Sequence, residues 1–362
     1  MSWNNVTGVS SATIWTDNPD TTQAYLFANG NHQVKLTVRL VFTVVDANQP
    51  GPTQDECKAA VSLVDYQTGF ELSFLKAGDK GEYTSVYQEN MPTAVKPLPE
   101  VDDQTVSVAK SGSYEFDFYV SSDSSINANY ASESIALLVT YTDSSGTEKT
   151  YDTTPAGKPS YVSVKVYPPK KYGMPNSNIT PIIFKTLDDT PKYTTSEGTG
   201  VYSVSVKKLT IYSLRIDDSY FRLTSFQAPN TRLSPVQFRQ IIESNYSAGN
   251  TYGYVLSQGF LLEENNLKGE NKSYTASVNV MEEHSGNPNG AVVSFSVDVY
   301  QQPYEIIFIN FEADVSWEKN ADNALFKSSD SAKFTVYDQF GNPANVEVGA
   351  GDDPVLELSS VS

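Results

Sequence analysis

The sequence predicts an all-β protein of two or three antiparallel β-sandwich modules, immunoglobulin-like or jelly-roll-like, and three observations carry that expectation. Apolar and polar residues alternate over many short runs, as strands with one buried face require. Hydrophobic residues make up 39% of the chain and charged residues 19%, with 23 tyrosines; the rest leans to Ser, Thr, Asn, Gln and Gly, a composition of polar-faced strands and turns. At 362 residues the chain exceeds the size at which a single hydrophobic core keeps growing, so several cores are expected.

The first module is expected over 1–168. Val34, Leu36, Val38, Leu40, Phe42 and Val44 share one strand face, with Lys35, Thr37 and Arg39 on the other. The rhythm returns in Tyr114, Phe116, Phe118 and Val120, in Ile135, Leu137, Val139 and Tyr141, and in Val162, Val164 and Val166. Residues 65–69 and 143–146 each open on Asp and close on Gly, whose access to positive φ suits tight reversals. The Pro-rich or acidic stretches 47–55 and 90–103 are expected to be long surface loops.

Residues 169–178 follow as a linker, because prolines cannot donate to a ladder and bias their predecessors to extended conformations. A second β module is expected over 179–302, with alternation at Tyr202, Val204 and Val206, at Ala276, Val278 and Val280, and at Val293, Phe295, Val297 and Val299. One short helix is predicted inside it near 234–246. Ser234 offers an N-cap, Pro235 suits the first helical position, and Phe238, Ile241, Ile242 and Tyr246 recur at helical spacing. In 303–362, Ile307, Ile309, Phe311, Ala313, Val315 and Trp317 mark one face of a long strand. That segment is short for an independent sandwich, so it forms a small third module or completes the second.

The chemistry is mostly exclusions. The net charge of −18 opposes nucleic-acid phosphates and anionic lipid. Cys57 is the only cysteine, so neither an internal disulfide nor a cysteine-rich metal site is expected. His32 and His284 fall in different modules, outside any metal-ligand spacing, and are expected on loops. The doublets Asp102-Asp103, Asp188-Asp189, Asp217-Asp218, Glu263-Glu264 and Asp352-Asp353 put neighbours on opposite strand faces, unlike the paired carboxylates of glycosidases. They are expected as solvated turns, with weak calcium ligation as the alternative. No nucleophile elbow, phosphate-binding loop or dinucleotide fingerprint occurs, and no catalytic, cofactor or metal residue is assigned. The start, Met1 to Thr7, lacks the pattern of a secretory signal, and no apolar run reaches the ~20 residues of a membrane span. The expected location is the cytoplasm as made, with release by lysis or a non-classical route.

The run from Phe334 to Val348 reads as strand, turn and strand, with Asp338, Gly341, Asn342 and Pro343 in the turn. It resembles the central hairpin of bacterial immunoglobulin-like modules in adhesins of the invasin and intimin type. The resemblance covers one hairpin and implies an adhesive role. Physically it requires a reversal in which Asp338 bonds nearby backbone and Gly341 or Asn342 turns left-handed.

Function is therefore expected to be recognition without catalysis: binding of a protein or glycan surface in the manner of adhesins and phage-tail fibres. The alternatives are a self-assembling structural subunit and a toxin or pore-former released by lysis. A carbohydrate-active enzyme with scattered carboxylates stays open. Tyr246, Tyr252, Tyr254 and Phe260 cluster among Gly and Asn, where aromatic rings on polar loops supply recognition surface. They are the candidate partner-binding residues.

Overall fold

Alternation along 34–44 becomes a strand whose Leu36, Val38 and Leu40 are fully buried while Arg39 is exposed, and the rest of the first unit is built around it. The structure is a computed structural model that describes residues 2–17, 22–87, 112–123, 130–196, 202–227, 236–248, 251–261, 267, 269–279, 292–318, 331–350 and 356–362. The chain divides into two compact units, residues 1–170 with 339–342, and residues 171–338 with 343–362. The expected loop 90–103 lies outside the described residues.

The first unit contains β1 (Val6–Thr16), β2 (Gln23–Phe27), β3 (Gln33–Val44), α1 (Gln54–Ala59), β4 (Val61–Asp65), β5 (Leu75–Gly78), β6 (Ser113–Ser122), β7 (Ala131–Thr142), β8 (Glu148–Asp152) and β9 (Val162–Tyr167). One sheet runs β1-β3-β6-β5 and the other β2-β9-β7-β4, with β8 continuing beside β7. Strand β2 is parallel to β9, and the other pairs are antiparallel. Setting aside β2 and β8, the strands in chain order fall into the A-B-E-D and C-F-G sheets of an immunoglobulin-type sandwich.

Both sheets feed one core, Leu36, Val38, Leu40, Phe116 and Val120 from the first and Ile135, Leu137, Val139, Val162 and Val164 from the second. Trp3 closes one end, its ring 5.4 Å from Phe42 and 5.7 Å from Tyr141. The Asp-to-Gly turns form as the sequence requires, with Gly69 at φ +73 and Gly146 at φ +79. Asp65 accepts from Thr68 N, and Asp143 from Ser145 N and Thr147 N.

The second unit contains β10 (Tyr172–Gly173), β11 (Thr180–Asp188), β12 (Tyr193–Ser196), β13 (Tyr202–Ile216), β14 (Leu223–Gln227), β15 (Val236–Ala248), β16 (Thr251–Leu261), β17 (Glu270–Asn279), β18 (Val292–Gln301), β19 (Ile306–Glu318), β20 (Ser331–Asp338), β21 (Pro343–Ala350) and β22 (Leu356–Val361). They form sheets in the orders β10-β11-β13-β19-β16-β15, β12-β18-β17 and β14-β20-β21-β22. The first half of β19 is buried on both faces, since Ile306 and Phe308 are as inaccessible as Ile307, Ile309 and Phe311. On one of those faces the Phe308 ring meets Phe334 of β20 at 5.8 Å. Tyr172, inside the stretch read as a linker, is buried, and its hydroxyl donates to Asp338 Oδ2 at 2.6 Å.

The helix predicted near 234–246 is corrected. Residues 236–248 form strand β15, antiparallel to β16, while Ser234 and Pro235 lie outside the described residues. The physical reason is in the ladder, which shifts register between Ile241 and Glu243 and again between Glu243 and Tyr246. Each bulge inserts an extra residue and breaks the period of two, so Phe238, Ile241, Ile242 and Tyr246 drift to a spacing that imitates a helix. Among the described residues the single α-helix is α1, inside the first unit. It is fixed by a Thr53–Glu56 capping box and buries Cys57.

Candidate functional site

The four residues expected to bind a partner sit on strands rather than loops. Tyr246 belongs to β15 and pairs with Gly253; Tyr252, Tyr254 and Phe260 belong to β16 and pair with Trp317, Val315 and Ile309 of β19. Strand β16 is hydrogen-bonded on both sides, which removes the flexible loop that a loop-borne recognition surface presupposes. Gly249 and Asn250 lie outside the described residues.

His32 is not a surface loop residue. It is fully buried, its Nδ1 accepting from Phe27 N at 3.0 Å and its Nε2 lying 2.9 Å from Ser85 O. With Nδ1 an acceptor, the proton sits on Nε2 and donates to Ser85. Burial lowers its pKa to about 4, so the ring is neutral at physiological pH and both its nitrogens are used in structure. Phe27 and Phe340 flank it at 5.8 and 5.1 Å.

Phe340 belongs to the four-residue segment that clusters with the first unit. Asn29 Nδ2 donates to Phe340 O and Asn342 Oδ1, each at 2.9 Å, while Asn31 Nδ2 donates to Gly341 O at 3.0 Å. Gly341 has φ +68. A Cβ there would lie 2.6 Å from Asn31 Cβ and 2.8 Å from the Tyr83 ring, so conformation and space both require glycine.

Of the carboxylate doublets, Asp102-Asp103, Glu263-Glu264 and Asp352-Asp353 lie outside the described residues. Asp188 accepts from Thr190 N, and Asp218 from Tyr220 N and Phe221 N, the short-range bonds of turn formers. His284 is also outside the described residues, and among those described no group of three His, Cys, Asp or Glu side chains is placed to hold a metal.

Glu305 is a buried carboxyl group with a shifted titration. It is almost fully buried, its Oε1 3.5 Å from Arg215 Nη1. Its Oε2, Arg215 Nε and Ser213 Oγ are buried without a hydrogen-bond partner. Burial pushes its pKa above the ordinary carboxylate value, against the pull of Arg215 and Lys185. The residue before it, Tyr304, holds φ +67. The Arg215 side chain is itself 39% exposed, so the pair is half-buried, and the desolvation of Glu305 outweighs the attraction.

The surface with the clearest chemistry is the outward face of the β2-β9-β7-β4 sheet. Because Val162, Val164, Val166, Ile135, Leu137, Leu26 and Ala24 point into the core, the alternate residues point out. These include Gln23 and Tyr25 of β2, Ser163, Lys165 and Tyr167 of β9, and Ser132 and Ser134 of β7. Ladder pairs set Tyr25 and Ser132 on either side of Lys165, and Gln23 and Ser134 on either side of Ser163.

At one end of the face Tyr66 and Tyr161 stack, with centroids 4.2 Å apart and planes 27° apart; Tyr66 N donates to Ser134 O at 2.8 Å. At the other end Lys165 Nζ lies 4.6 Å from the Tyr130 ring and 5.0 Å from the Tyr167 ring, within cation–π range of both. Between them the Ser132 and Ser163 hydroxyls are 3.2 Å apart. Tyr130 is 59% exposed and Tyr161 38%. Lys165 is the only charged residue among the outward positions of the four strands.

Sequence reasoning passed over this face although its signal was present. The run Tyr161 to Tyr167 was read for its three valines, yet the intervening Tyr, Ser, Lys and Tyr are the outward set. What a single strand cannot reveal is that Tyr66, far earlier in the chain, stacks on Tyr161. No family model matches the chain, and comparison with curated proteins finds no significant similarity.

Proposed function

We propose that the protein is a non-enzymatic recognition protein that holds its partner on the outward β2-β9-β7-β4 face of the first unit. The observation that supports this is the grouping on one sheet face of two tyrosine clusters around a serine-lined centre. Tyrosine supplies rigid contact area at low entropic cost, and serine supplies adaptable hydrogen bonds, the pairing found in dedicated binding surfaces. Tyr130 and Tyr161 stand 59% and 38% exposed on this face, and rings left exposed in water gain nothing from burial until something covers them.

The test is retention of the full chain on an array of immobilised oligosaccharides and extracellular proteins, comparing the natural sequence with Tyr130→Ala/Tyr161→Ala. Loss of a bound probe in the variant, with the melting temperature within a few degrees, is the expected result. Probes bound equally by both proteins, or chemical turnover of a bound oligosaccharide, would overturn the reading.

A further inference from the structure

We infer that the second unit holds one internal water molecule between β13 and the start of β19, bridging Ser213 Oγ, Arg215 Nε and Glu305 Oε2. A polar atom shut away from solvent without a partner is costly, and native interiors hold few of them. Those three atoms are all of this kind, and they stand within one stretch of ladder. Ser213 pairs with Ile307 and Leu214 with Ile306, so Arg215 falls opposite Glu305, in keeping with the 3.5 Å between Nη1 and Oε1. Ser213 and Arg215, two apart on β13, share a face. Ser213 is therefore the diagonal neighbour of Glu305, about 7–8 Å away across the ladder, a span that the two side chains and a single bridging oxygen fill.

The carboxyl is held at this depth by the turn between β18 and β19. Ser213 is fully buried and Glu305 is 3% exposed. Tyr304 holds φ +67, a conformation that an aromatic residue keeps only where its surroundings over-determine it. Here they do. Tyr304 N donates to Leu267 O at 2.7 Å, and Gln301 Nε2 donates to Glu305 O at 2.6 Å. Gly269, at φ +84, lies so close beneath the turn that a Cβ would sit 2.6 Å from Pro303 Cδ.

The donor and acceptor set selects the ligand. Arg215 Nε–H only donates, an ionised Glu305 Oε2 only accepts, and the Ser213 hydroxyl does either. A metal cation would lie against the Arg215 guanidinium and an anion against the Glu305 carboxylate, so each meets a like charge. A neutral molecule that both donates and accepts satisfies all three atoms, and internal waters typically make about three such bonds. The water accepts from Arg215 Nε, donates to Glu305 Oε2 and completes its set with Ser213 Oγ. A protonated Glu305 would donate in place of accepting, and water serves that state equally.

The test joins a crystal structure of the full chain, at a resolution that shows ordered water, to hydrogen exchange in solution. A single oxygen peak is expected about 2.7–3.2 Å from Glu305 Oε2 and from at least one of Ser213 Oγ and Arg215 Nε. Direct bonds among the three side chains with no peak between them, or a metal ion or anion in that place, would overturn the inference. In solution, Ser213→Ala should raise the opening of β13 amides about fivefold, the worth of an ordinary hydrogen bond. Once Glu305→Met has removed the other end of the bridge, the same change should matter less than about twofold. Equal effects in both backgrounds would show that Ser213 and Glu305 share no bridge and would also overturn it. If either variant fails to fold, the density in the natural chain decides.

Discussion

His32→Gln tests the interior of the first unit quantitatively. The folded ring has its pKa lowered from 6.5 to about 4 by burial, whereas the unfolded ring titrates near the ordinary value. Between those values the unfolded chain takes up a proton that the folded chain refuses, so stability is complete above pH 6.5 and falls as the pH drops toward 4. Two and a half pKa units at 1.36 kcal/mol each amount to about 3 kcal/mol. The variant has no such titration, but its glutamine cannot serve both Phe27 N–H and Ser85 C=O in the ring's geometry, a loss of about 2–4 kcal/mol at neutral pH. The natural protein should therefore be the more stable at pH 7.5, and the gap should close by about 3 kcal/mol at pH 4. Exchange protection of the β7 amides reports the first unit alone. Nuclear magnetic resonance adds a direct check, because the chain has only 2 histidines: the His32 ring should be neutral, protonated on Nε2, and should titrate near pH 4. A midpoint near 6.5, or a gap that does not change with pH, would refute the reasoning.

Other outcomes follow from the same geometry. Glu305 has its pKa raised by burial, so the folded state holds its proton more tightly than the unfolded state. Stability contributed by this group is present below pH 4.5 and lost as pH rises through the folded value; Glu305→Gln should flatten that decline in acid-to-neutral melting curves, and an unchanged curve would contradict it. Gly341→Ala should lower the melting temperature, because φ +68 adds about 1 kcal/mol of backbone strain for alanine before the clash with Asn31 and Tyr83 is counted; a neutral or stabilising effect would show the turn to be conformationally free. Cys57 is fully buried with its pKa pushed up to about 12, so the native thiol should stay unreactive to disulfide reagents at pH 8 and react at once in denaturant. Rapid modification of the native protein would contradict its burial.

Much of the fold was legible because alternation is a local signal. The runs beginning at Val34, Tyr114, Ile135 and Val162 became β3, β6, β7 and β9, and those in Val204, Val297 and Ile309 fell within β13, β18 and β19. Two kinds of feature were not. Bulges in β15 disguised a strand as a helix, since two register shifts in a few residues mimic a spacing of three and four. Long-range assembly left no local trace: nothing around His32 signals that Ser85 and Phe340 enclose it. The candidate binding residues lie on strands rather than on the expected loop for the same reason. Tyr252 and Tyr254 look like loop aromatics beside Gly253, yet β19 pairs with that whole run. Tyr66 and Tyr161 stand far apart in sequence yet stack, and Tyr130 shares their sheet face only when four strands are laid side by side.

The most direct measurement of where recognition occurs is hydrogen–deuterium exchange of the full chain with and without a probe retained on the array. Amides of 130–134 and 161–167 are expected to gain protection on binding, while those of 251–261 stay unchanged. Protection centred on Tyr252 and Tyr254 instead, or none in the first unit with a bound probe, would contradict the assignment of the recognition face to the β2-β9-β7-β4 sheet.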